Sequence, residues 1–145
     1  MTTVHFEISQ EQLDSLIFLH PNTGKNSHVG NIAVRIVELY FKSKYPDSTF
    51  LDGAEGADIE INYNGKIERF EVKGTADQSI AWQKIKVSSQ DCYNCLLQGM
   101  TLIRVTSIGS LKMKLHFMKY GEDFRLEPEV RFAVKPVRKS KSNNN

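Results

Sequence analysis

Residues 56–75 read GADIEINYNGKIERFEVKGT. Two strand-like runs meet at Asn64-Gly65, the strongest short-range signal for a two-residue hairpin loop. With those two residues as the loop, Tyr63 pairs with Lys66, Ile61 with Glu68, Glu60 with Arg69 and Ile59 with Phe70. Asp58 then faces Glu71. Side chains alternate between the faces of a sheet. Ile59, Ile61, Tyr63, Phe70 and Val72 therefore form an apolar face, and Asp58, Glu60, Asn62, Arg69, Glu71 and Lys73 a polar one.

Like charges directly opposite one another destabilise a strand pair. A divalent cation between Asp58 and Glu71 removes the objection, because Mg²⁺ takes one or two carboxylates and keeps waters that a phosphate can replace. Lys73 can then orient or activate a water, or neutralise charge developing on a phosphate. These residue types suit metal-assisted phosphodiester hydrolysis. The ordinary alternative is a solvated hairpin face, and Glu60 opposite Arg69 reads as a simple cross-strand pair.

Outward from the hairpin, HVGNIAVRIVELYFKSKY (28–45) is the strongest helix, with Val29, Ile32, Ala33, Ile36, Val37, Tyr40 and Phe41 on one face and Pro46 closing it. Ser9 and Gln12 form a capping box for a short helix ending near His20-Pro21, after a weak strand at 3–8. Residues 48–51 are a candidate strand, 52–56 a turn, and 80–87 look extended. A second helix is expected over 88–99, capped by Ser88 with Asp91 and stopped by Gly99. Strands at 100–108 and 112–120 flank a Gly109-Ser110 turn. The reading is an α/β (α+β) domain over residues 1–134, a mixed sheet flanked by helices in the order α-β-β-β-α-β. Residues 135–145 form a basic tail expected to be disordered.

The 145 residues suit one domain. Apolar residues are 40% and charged residues 25%, with a net charge of +2, so any nucleic-acid affinity must come from local charge. No apolar run is long enough to span a membrane and the N-terminus lacks a secretory pattern. With two cysteines, a reducing cytoplasmic setting is expected.

The hairpin resembles the PD-(D/E)xK phosphodiesterase superfamily, which has the restriction-endonuclease-like core. Asp58 stands for its first acidic residue and Glu71-Val72-Lys73 for its second element. FEVKGT and GADIEI are similar to the motif strands of the Mrr-like branch, and the resemblance covers about residues 28–108. Ala57 stands where many members have proline. The resemblance implies a Mg²⁺-dependent endonuclease, with Mn²⁺ as substitute, acting on DNA rather than RNA in restriction, defence or DNA processing. It implies metal held by Asp58, Glu71 and the Val72 carbonyl. A helix glutamate often assists; Glu38 is the candidate, or else an i,i+4 partner of Lys42. Duplex cutting would suit a homodimer. The alternative function is a catalytically inactive nucleic-acid-binding domain on the same fold.

Trp82, Lys84 and Lys86 follow the motif strand, a basic stretch with an aromatic that suits a nucleic-acid backbone. Gln90 either contacts phosphate, as in some branches, or is an exposed first-turn residue. Lys112, Lys114, Lys135, Arg138, Lys139 and Lys141 add positive charge. CYNC (92–95) lacks a second pair and reads against zinc, TGKNS lacks the first glycine of a P-loop, and the four histidines are scattered.

Overall fold

Asn64 and Gly65 both adopt positive φ, 50° and 76°. This mirror-image turn matches the right-handed twist of the strands it joins. It does so in the computed structural model, which describes residues 1–24, 27–54 and 56–137. The register follows from the loop: Ile59 lies opposite Phe70, Glu60 opposite Arg69, Ile61 opposite Glu68 and Tyr63 opposite Lys66.

In chain order the elements are β1 (Thr2–Glu7), α1 (Gln10–Leu19), α2 (Ser27–Lys44), β2 (Thr49–Ala54), β3 (Ala57–Tyr63) and β4 (Lys66–Gly74). A 3-10 turn (Trp82–Lys84), α3 (Gln90–Leu97), β5 (Thr101–Thr106) and β6 (Lys112–Met118) follow. The fold is mixed α and β. Among the described residues the strands form one six-stranded sheet, ordered β1-β6-β5-β4-β3-β2. Every neighbouring pair is antiparallel except β4 and β5. A parallel pair needs a crossover, and the 3-10 turn with α3 provides it.

The helices cover opposite faces of the sheet. The periodic stripe of α2 buries Ile32, Ala33, Ile36, Val37 and Phe41 against Ile59, Ile61, Phe70, Val72, Ile103 and Val105. On the other face, Cys92 and Leu96 of α3 meet Leu102 and Met118. The alternation of β4 thus sends Phe70 and Val72 towards α2, and Glu71 and Lys73 towards α3. β5 is buried along its whole length.

Some local expectations need correction. β2 continues to Ala54, so Asp52–Ala54 extends the strand where a turn was expected; Glu55 lies outside the described residues. Residues 80–87 are not a strand: Ala81 takes a left-handed conformation (φ 52°, ψ 59°) and starts the 3-10 turn. The α3 cap is Ser89, whose hydroxyl accepts the Cys92 N–H at 3.2 Å, because the helix starts at Gln90. Ser9 and Gln12 form the complete box expected at α1. Of the basic tail, residues 135–137 are exposed, and 138–145, including Arg138, Lys139 and Lys141, lie outside the described residues. Among the described residues no helix is long and apolar enough to cross a membrane.

Candidate active site

The paired register of β3 and β4 runs outward as far as Ile59 and Phe70. One residue further, the Asp58 carboxylate accepts the Val72 N–H at 2.8 Å. A side chain has taken a place that a backbone carbonyl holds in a regular ladder. The contact fixes Asp58 against the motif strand.

Glu71 projects beside it. Only 7% of Glu71 is exposed. Its carboxylate lies 3.2 Å from the Lys73 ammonium and within hydrogen-bonding reach of Asp58. From α3, the buried Cys92 thiol donates to it as well. Burial, and then the Asp58 carboxylate, push the Glu71 carboxyl up to about 7, against the opposing pull of Lys73. Burial, and then the Glu71 carboxylate, push the Cys92 thiol up to about 12, so it remains a protonated donor at neutral pH.

Asp58 and Lys73 line a recess of about 830 Å³, together with Val29, Gly30 and Val34 of α2 and the buried Arg104 of β5. Two glycines allow close approaches around the hairpin, and Gly74 also lines the recess. A Cβ on Gly74 would lie 2.7 Å from Ala33 Cβ and 3.1 Å from the Val29 carbonyl, so only glycine lets α2 approach β4 here. Gly56 has φ +79°, and a Cβ there would lie 2.7 Å from Cys95 Sγ and 2.8 Å from the Asp91 carbonyl oxygen. It seats the start of β3 against α3. Sequence reasoning did not single out Gly56, Gly74 or Cys92 as site residues. The glycines do flank the motif strands, which is a signal; the Cys92 contact joins elements about twenty residues apart and left none.

Of the remaining candidates, Lys84 alone shares the recess. Glu38 is held by Arg35 at 2.7 Å, and Arg35 reaches Asp52 of β2 at 2.7 Å. The charges acting on Glu38 are Arg35 and Asp52, and Glu38 is not among the residues that line the recess beside Asp58. Lys42 does not partner it either, and donates to the Ser48 carbonyl. Lys84 lines the recess and pairs with Asp77 at 2.9 Å. Lys86 and Gln90 face a separate groove; Lys86 is paired with Glu129, and Gln90 bonds Asn94. Glu60 and Arg69 form their cross-strand pair at 3.2 Å.

The donor set suits a hard, partly hydrated cation. Among the described residues no group of three or more His, Cys, Asp or Glu could hold a metal. Two carboxylates lie side by side with one ammonium paired to Glu71, whose carboxyl is pushed up to about 7. Mg²⁺ needs few protein ligands, unlike zinc or calcium in closed cages. The chain matches no protein-family model, no curated protein and no solved structure.

Proposed function

We propose that this protein is a Mg²⁺-dependent nuclease, with Asp58, Glu71 and Lys73 as its catalytic set. The observation that carries the reading is the convergence of two carboxylates and a lysine at the end of one hairpin, with Glu71 buried and its charge incompletely offset. The α2-β2-β3-β4-α3-β5 order supports a restriction-endonuclease-like core. Fold alone does not assign chemistry, so the site carries the argument.

Asp58, Glu71 and the Val72 carbonyl would hold the cation. Bound there, it would supply Lewis-acid polarisation of a phosphodiester and a more acidic water. The Val72 N–H keeps Asp58 oriented towards the site. Cys92 holds Glu71 from behind. Lys73, anchored by Glu71, presents its ammonium to the recess, where it binds a phosphate oxygen and orients the attacking water. Water adds to phosphorus and gives up a proton to solvent, the bond to the leaving oxygen breaks, and that oxygen takes a proton from solvent.

A second reading rests on the direct Lys73–Glu71 contact. That pair is already partly neutralised, as suits a domain that binds nucleic acid without cutting it. Titration with Mg²⁺ or Mn²⁺ on plasmid and single-stranded DNA separates the two. Lys73→Ala is expected to lower cleavage by at least a hundredfold while leaving DNA binding within a factor of three. Binding without metal-dependent cleavage by the wild type would support the second reading.

A further inference from the structure

On the far side of the 3-10 turn from the recess lies a groove of about 850 Å³, walled by α3 and by residues 123–131. Its rim carries Trp82, 47% exposed, and Tyr93, 39% exposed. Trp82 is the one tryptophan in the chain.

Its exposure is built into the fold. Arg104 of β5 is opposite Lys73 in the sheet register and only 2% exposed. It donates to the carbonyls of Ile80 (2.8 Å), Gly74 (3.2 Å) and Ala81 (3.4 Å). A buried guanidinium is committed to fixing this loop, and Ala81 is held in a conformation alanine rarely adopts. The result is a rigid turn with a large aromatic at the surface. Trp82 shares the groove with Tyr93, Phe124 and Leu126, and contiguous apolar surface of this kind marks binding sites.

Cations stand along the same groove: Lys86, Arg125 and Arg131. Each is near a carboxylate. Both oxygens of Glu129 lie 2.9 Å from Lys86, Arg125 pairs with Glu127, and Arg131 acts on Glu129. Asp123 lines the groove too, so its three cations stand beside three carboxylates, and a backbone phosphate would have to displace a carboxylate to reach a cation. Two exposed aromatic side chains beside ion-paired cations in one groove fit one ligand class.

We infer that this groove binds single-stranded nucleic acid, its bases stacking on Trp82 and Tyr93 and its phosphates displacing Glu129 from Lys86. Unpaired bases offer free π-faces, whereas bases within a duplex are stacked on one another. Trp82 and Lys86 line the groove, and Lys84, between them, lines the recess at Lys73. A strand in the groove therefore leads to the candidate catalytic set. That direction rests on the proposed nuclease function; the binding itself does not.

The test uses the full chain in EDTA, with a fluorescein-labelled oligo(dT) strand and a hairpin duplex of equal charge. Single-stranded DNA should quench Trp82 emission saturably, and the duplex at least tenfold more weakly. By anisotropy, Trp82→Ala should weaken strand binding about tenfold and Trp82→Phe should largely restore it. Glu129→Gln should tighten binding several-fold at low salt. The exposed position of Trp82 makes misfolding of its variants easy to check by circular dichroism. Absence of quenching, equal binding of the duplex, or wild-type affinity in Trp82→Ala overturns the inference. Strand binding that survives Lys73→Ala, in a wild type that does not cut with Mg²⁺, would remove the nuclease reading and keep the groove. Cleavage without strand quenching would do the reverse.

Discussion

Glu71 concentrates the electrostatics of the site in one side chain. Its carboxyl is raised from 4.5 in the unfolded chain to about 7 in the folded one, chiefly by burial. The folded state therefore binds the proton more tightly. The associated stability is complete below about pH 4.5 and is lost as pH rises through about 7, a change on the order of 3 kcal/mol. In EDTA, the melting temperature should fall between pH 5 and pH 7.5. Glu71→Gln, neutral throughout, should flatten that slope, and a slope unchanged in the variant would place the titration elsewhere. Added Mg²⁺ should raise the wild-type melting temperature more at pH 8 than at pH 5, because the cation competes with the proton. That Asp58 comes to lie beside Glu71 was legible from the Asn64-Gly65 turn alone, although the paired register ends one residue short of them. Its bond to the Val72 N–H was not, because that bond exists only where the regular ladder gives way.

Helices and strands are brought to the site by close approaches that leave no room for a methyl group. Gly74→Ala would press on Ala33 and the Val29 carbonyl across the α2–β4 contact. Overpacking of this kind costs about 1–3 kcal/mol. Gly56→Ala adds a positive φ to a clash with the α3 backbone and should cost at least as much. Urea unfolding of the two variants measures both losses, and a change below about 0.5 kcal/mol would show that the helices shift freely. The α3 cap offers a paired comparison. Ser89→Ala should cost about 1 kcal/mol by removing the acceptor for the Cys92 N–H, while Ser88→Ala should be nearly silent. Adjacent serines look alike in sequence; which one caps depends on where the chain leaving the 3-10 turn becomes helical. The α1 box, with Ser9 and Gln12 at the required spacing, was readable because both partners are local.

Across the whole molecule, β5 is the centre of the sheet, paired with β4 on one side and β6 on the other and buried along its length. Native-state amide exchange should be slowest in Thr101–Thr106 and faster in the edge strands β1 and β2, whose outer backbone groups lack a strand neighbour in the described sheet. Equal protection in β1 and β5 would contradict this order. The amino-acid sequence by itself determined the hairpin and its register, the buried stripe of α2, the α1 cap and the element order from α2 to β5. Each depends on side-chain alternation, helical spacing or turn chemistry within a few residues. Only the tertiary structure decided that β4 and β5 run parallel, that Glu38 turns to Arg35 and Asp52, that Cys92 supports Glu71, and that Arg104 bends residues 80–84 into a turn exposing Trp82. These outcomes depend on which groups meet across the sheet after burial, where desolvation and competition for hydrogen-bond partners outweigh local preference.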